Sequence, residues 1–256
     1  MDQDDLPVGR VLSRREVVAL LGASGAALLA GCRPGSLGAD SAAAATTAGS
    51  GAASGARLCV VRPEQTEGPY FVDERLDRAD IRADPGTGVV KEGAPLALTL
   101  VVQRLDDAGR CTPVPGARVD LWQCDAAGVY SDVVDPSFDT RGQRYLRGHQ
   151  LTDATGTARF TTIYPGWYRG RTVHLHFKVR TEPTAARGHE FTSQLYFDDA
   201  LTDRVFTRAP YAARGPRTTR NPQDGIYRRG GDQLLLDAQE RGDGYAASFE
   251  LGMRMG

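Results

Sequence analysis

The 256-residue sequence predicts an all-β fold, a single β-sandwich domain with few short helices. From about residue 57 onward, short runs rich in Val, Ile, Leu, Thr and aromatic residues recur, each bounded by Gly, Pro or Asp. No strand–long helix–strand rhythm is present to support a parallel sheet. Roughly 200 residues suit one domain, and no internal repeat divides them.

Pro95–Leu105 alternates apolar and polar side chains and is the first clear strand. Ala117–Cys124 is the second run. Gly156–Tyr164 is the third, entered through the turn Asp153-Ala154-Thr155-Gly156. Thr172–Arg180 and Glu190–Asp198 follow, and Gln233–Ala238 and Tyr245–Met253 complete the set. Ala200–Arg208 is predicted as one short helix.

Residues 1–31 read as a twin-arginine lipoprotein signal peptide. Arg14 and Arg15 precede the apolar run Val17–Ala30, which is too short to span a bilayer but suits a signal peptide. Leu29-Ala30-Gly31-Cys32 resembles a lipoprotein cleavage box, which makes Cys32 the candidate lipidation site and anchors the exported chain to a membrane surface outside the cytoplasm. The rest of the linker at 32–56 is Ala, Gly, Ser and Thr with little else, a flexible tether of roughly 25–30 Å. The domain then occupies residues 57–256.

The signal segment carries Arg10, Arg14 and Arg15 against Asp2, Asp4, Asp5 and Glu16. The remainder, with 28 basic and 28 acidic residues, has a formal net charge of zero. No basic tract stands out, so nucleic acid is not an expected partner. Once Cys32 is assigned to the lipid, Cys59, Cys111 and Cys124 remain. An oxidising compartment favours one disulfide, expected between Cys59 and Cys111, with Cys124 free in an apolar strand. No CxxC pair exists to suggest structural zinc.

The chemistry-bearing pattern is His174-Leu175-His176 in a β-like run. Strand side chains alternate, so both imidazoles project from one face, close enough to share a metal ion. Taken alone, the pattern fits two surface histidines equally well. Upstream, Thr162-Ile163-Tyr164-Pro165-Gly166-Trp167-Tyr168-Arg169-Gly170-Arg171 ends a strand in a Pro-Gly turn and re-enters the histidine strand. Val119–Cys124 likewise runs into the turn Asp125-Ala126-Ala127-Gly128, with Tyr130 just beyond. Phenolate oxygen together with imidazole suits ferric iron better than a soft cuprous ion. Other uses stay open: a packed turn tyrosine for Tyr130, an aromatic corner for Tyr168, a surface ion pair for Arg171.

These residues resemble the intradiol ring-cleaving dioxygenases, the family of catechol and protocatechuate 3,4-dioxygenases, in a short exported bacterial form. Four stretches carry the likeness: Glu64–Phe71, Trp122–Ser131, Thr162–Phe177 and Ser193–Phe197. The resemblance implies an Fe(3+) cofactor held by Tyr130, Tyr168, His174 and His176. Tyr164 falls at a variable position of the family pattern. It further implies that Arg171 stabilises negative charge on the substrate and that Gln194 belongs to the pocket. The implied reaction joins O2 to a catechol-type ring, cleaving it to a muconate-type diacid, with Tyr168 displaced and accepting a substrate proton. Only five residues separate Tyr168 from His174, fewer than in the cytoplasmic enzymes, so a more open site and bulkier catechols are expected. Two other functions remain compatible with the sequence: a non-catalytic, lipid-tethered β-sandwich binding module, and an iron binder without turnover.

Overall fold

The computed structural model describes residues 60–107, 109–182 and 188–254. The expected signal peptide, Cys32, the tether and Cys59 all lie outside the described residues. Cys111 is disulfide-bonded, and Cys124 is a free, buried thiol.

β1 (Pro95–Leu105) has the bounds its alternation predicts. Leu96, Leu98, Leu100 and Val102 turn inward, and the residues between them are more exposed. One edge of β1 pairs in parallel with the last strand, β12 (Gly244–Arg254). The other edge pairs antiparallel with β7 (Thr157–Ile163) and then with β2 (Cys111–Pro113). β11 (Gln239–Arg241) closes this five-stranded sheet beyond β12.

The second sheet runs β10 (Leu235–Leu236), β9 (Glu190–Phe197), β8 (His174–Arg180), β3 (Arg118–Trp122), β6 (Arg147–Leu151). Val119, Leu121, Leu175, Phe177, Val179 and Leu195 face the first sheet, where Phe177 meets Phe249 of β12 at 6.1 Å between ring centroids. The result is a β-sandwich whose core is built from one face of each sheet. A two-stranded ribbon, β4 (Val134–Asp135) with β5 (Phe138–Asp139), lies between β3 and β6 in sequence.

Three expectations need adjustment. The predicted strand Gln233–Ala238 is mostly a 3₁₀ turn, Gly231–Leu234, with only Leu235–Leu236 in the sheet. Gly230, at φ 98°, turns the chain there before a strand can start. The helix α1 covers Asp199–Val205 instead of 200–208, because Asp198 caps it by accepting from Leu201 N at 2.9 Å. β6 had no sequence signal: Arg-Gly-His-Gln-Leu does not alternate, and its order comes from pairing with β3.

The outer face of the second sheet is polar yet buried. His174, His176 and Lys178 of β8 lie beside Gln194 and Tyr196 of β9 and beside Arg118, Asp120 and Trp122 of β3. The chain before β1 crosses this face. Gln65 N bonds Thr192 O at 3.0 Å, and short bridges join Asp77 to His149 and Asp80 to Thr161. A sheet face that water would normally satisfy is therefore enclosed, and its polar groups must satisfy one another.

Candidate metal centre

Cross-strand register sets the floor of the site. Trp122, His176 and Gln194 stand side by side on three adjacent strands, and His174 pairs with Tyr196. The Trp122 indole lies nearly parallel to the His176 ring, with centroids 5.0 Å apart and planes at 10°. Gly68, at φ 71°, also lies against this ring, where a Cβ would stand 3.4 Å from His176 Cε1. The imidazole at 176 is clamped by shape.

Two interlocked turns bring the tyrosines to this floor. After β3, Asp125 Oδ1 accepts from Ala127 N and Val129 N, each at 3.0 Å, and closes the first turn. After β7, the Pro165-Gly166 turn folds against it, with Gly166 N bonded to Asp125 O at 3.2 Å. The contact is too close for side chains. A Cβ at Gly166 would stand 2.4 Å from Asp125 O, and one at Gly128 would stand 2.1 Å from Trp167 O. Gly128 also has φ 78°. Gly128→Ala is therefore expected to cost more than about 2 kcal/mol in chemical denaturation, from backbone strain plus the clash that separates the turns.

Four rings converge as a result. Tyr168 Oη lies 3.1 Å from His174 Nε2, and His174 Nε2 lies 3.1 Å from His176 Nε2. The Tyr130 ring is 5.8 Å from Tyr168 and 6.2 Å from His176, centroid to centroid. Its hydroxyl is buried without a well-formed hydrogen bond and interacts with the Tyr168 phenol. Tyr70 stacks on Tyr130 at 4.5 Å and closes the cluster from above. Among the described residues no group of three or more His, Cys, Asp or Glu side chains could hold a metal, so this His–Tyr set is the candidate.

The protonation states suit ligation. His174 Nδ1 is 2.6 Å from Thr172 O, which keeps the proton on Nδ1 and turns the Nε2 lone pair toward Tyr168 and His176. Burial, with the Arg171 cation nearby, holds the His174 pKa well below the ordinary value. Burial acts likewise on His176, helped by His174 and Arg171. Both imidazoles are neutral at pH 7. Burial raises the Tyr130 pKa far above a free phenol, with Tyr168 adding to the effect, so this hydroxyl ionises only against a compensating cation.

Arg171 anchors the polar side of the cluster. Its Nε donates to Asp224 Oδ2 at 2.9 Å, its Nη2 to Gln194 Oε1 at 2.5 Å, and its Nη1 is 3.5 Å from His174 Nε2. The carboxylate partner that a surface role would require exists, but it is fully buried. Burial opposes the charge, yet Tyr168 and Asp224 outweigh it and hold the Arg171 pKa above its usual value. Gln194 Nε2 donates to Thr66 O at 3.0 Å, which ties the covering segment to the arginine.

Tyr164 lies elsewhere. Its hydroxyl meets Thr202 Oγ1 at 2.7 Å and its ring packs on Phe197, within the sandwich core. Asp224 and Arg147 are the buried groups that sequence reasoning missed. Asp224 sits in a turn-rich stretch without periodicity. Arg147 begins the unpredicted β6.

Comparison with known proteins bears on the same residues. The family model described as "Dioxygenase" matches residues 66–216. The chain is 31% identical over 199 residues to the protocatechuate 3,4-dioxygenase beta chain of Burkholderia cepacia, covering 73% of this chain and 76% of that one. The chain belongs to the intradiol ring-cleaving dioxygenase family. Among solved members, the intradiol ring-cleavage dioxygenase of Tetranychus urticae superposes with a TM-score of 0.66 at 29% identity, over 77% of this chain and 95% of that one. The dioxygenase domain of a carbohydrate-binding fusion from Streptomyces sp. SirexAA-E gives 0.53 at 26% identity, over 77% and 100%. Family membership makes this chain an oxygenase, with aromatic compounds as the substrates of its relatives.

Proposed function

We propose that this intradiol dioxygenase binds ferric iron through Tyr130, Tyr168, His174 and His176, and cleaves a catechol-type ring with O2 to a muconate-type diacid. The observation that carries the proposal is the chain of three donor atoms at 3.1 Å steps, with the buried Tyr130 ring packed against Tyr168 and His176. Donors bound at about 2.1 Å to one ion stand about 3 Å apart, so this spacing accommodates one. Hard phenolate and borderline imidazole together match iron(III).

A ferric ion in this set would supply Lewis acidity and a template for both catechol oxygens. Tyr168 is half-buried whereas Tyr130, His174 and His176 are buried, so the exposed side of the cluster is the Tyr168 side. There the Tyr168 oxygen would be placed to accept one catechol proton. Arg171, held against Asp224 and Gln194, presents a fixed cation to negative charge developing on the ring. Arg169 and Gly170, the middle of the short Tyr168–His174 loop, are exposed. That openness supports bulkier catechols as substrates.

The test is metal analysis and a visible spectrum of the protein before and after adding catechol, with oxygen uptake over a panel of free and bulky catechols. A red-brown ferric-phenolate band and uptake are expected. A colourless protein would favour the binding-module alternative; colour without uptake would favour the iron binder. The pH dependence has a definite sign. Tyr130 holds its proton until iron displaces it, whereas the histidines are already neutral. Ferric affinity should therefore rise between about pH 6 and 8, roughly tenfold per unit for each phenol proton released, as read by titration against a competing chelator.

We also propose that the domain works outside the cytoplasm, tethered through a lipid on Cys32. The cleavage box and the Ala/Gly/Ser/Thr-rich spacer support this reading. Cys32→Ser should release the protein from membranes, and continued membrane retention would refute the anchor.

A further inference from the structure

Arg147 connects two sides of the cluster. Its Nε donates to Ser131 O and Oγ at 3.1 and 2.9 Å, and its Nη2 to Ser131 O at 2.6 Å, so the residue after Tyr130 is gripped by a guanidinium fork. In the sheet Arg147 is paired with Trp122, the indole stacked on His176. Both residues are 2% exposed.

Beside this pair lies a small cavity of about 10 Å³, lined in part by Phe71, Glu74, Trp122 and Arg147. That is close to the least space a single water molecule needs. Three lining residues end in buried polar atoms without hydrogen-bond partners: Glu74 Oε1, Trp122 Nε1 and Arg147 Nη1. One acceptor and two donors beside one void meet a water's bonding requirement, since internal waters typically make about three hydrogen bonds. An apolar void would leave all three groups desolvated and unpaired.

We propose that this cavity is a structural water site, and that Arg147, Glu74 and Trp122, joined through that water, form a clasp positioning Tyr130 and His176. Arg147 is then a positioning residue: one arm of its fork holds the chain at Ser131, and the other shares the water with the indole behind His176. The consequence for metal binding rests on the ligand assignment above; the water site itself does not.

A crystal structure of the full chain tests the site directly. A density peak within hydrogen-bonding distance of Glu74 Oε1, Trp122 Nε1 and Arg147 Nη1 is expected with or without iron. A collapsed cavity, or a direct Glu74–Arg147 contact filling it, overturns the proposal. Ferric titration of folded variants tests the clasp. Trp122→Phe keeps a stacking ring but deletes Nε1, and Glu74→Leu deletes the acceptor together with the carboxyl's hydrogen bond to Asp132, which Glu74→Gln can keep. Each should weaken ferric affinity about tenfold and shift the visible band. The double variant should lose little more than either single one, because one water serves both. Glu74→Gln, which keeps an acceptor oxygen, should restore wild-type affinity and colour. Additive losses, unchanged affinity and band in Trp122→Phe and Glu74→Leu, or a loss in Glu74→Gln as large as in Glu74→Leu, sink the clasp. If the wild-type chain bound no ferric iron, the ligand assignment would fail, while the density would still decide the water site.

Discussion

Tyr168→Phe is expected to slow ring cleavage by at least about 10²-fold and to bleach or shift the visible band, while Tyr164→Phe leaves both unchanged. The two tyrosines are four residues apart, and either could be taken for a ligand from the sequence. Tyr168 Oη points at His174 Nε2 from 3.1 Å. On the proposed ligand set, phenylalanine there would remove a metal donor and also the base that receives a substrate proton, and positioned proton transfer is worth about 10²–10⁴ in rate. Tyr164 instead donates into the core at Thr202 Oγ1, which itself donates to Asp198 O. Its loss should cost about 1 kcal/mol of stability and no colour. The checks are a steady-state rate, a spectrum and a urea titration on each variant. Equal damage to rate and colour from both would show that the ligand assignment is out of register.

The largest loss of stability is expected from Asp224→Ala. The Asp224 side chain is fully buried and accepts from Arg171 Nε, Thr172 N, Ile226 N and Tyr227 N. Alanine would strand the Arg171 charge in the interior and leave three backbone donors unpaired. Removing one partner of a buried ion pair costs about 3–5 kcal/mol, measurable as a shift in the urea midpoint. Function should suffer as well, because Thr172 O orients His174 Nδ1 and Thr172 N is held by Asp224. If Asp224→Ala unfolds at wild-type denaturant concentration, the buried pair does not carry the site.

Local chemistry already wrote much of this protein into its chain. The period-two pattern of β1 and β12 marks their inward faces, the Gly-containing turns mark where strands stop, and the one-residue spacing of His174 and His176 places two imidazoles on one side. All of these depend on neighbours within a few positions. β6 and the 3₁₀ turn at Gly231–Leu234 were illegible because pairing with β3 and a left-handed glycine, not side-chain periodicity, set their conformation.

The site's environment belongs to the folded sheet pair. Nothing near Arg171 in the chain announces Asp224, 53 positions away, nor does Trp122 announce Arg147 as its strand partner. Those contacts arise only when the outer sheet face is enclosed. Once water is excluded, each buried charge and donor must find a partner, and which partner is nearest depends on how distant strands and turns close in space, which no local pattern encodes.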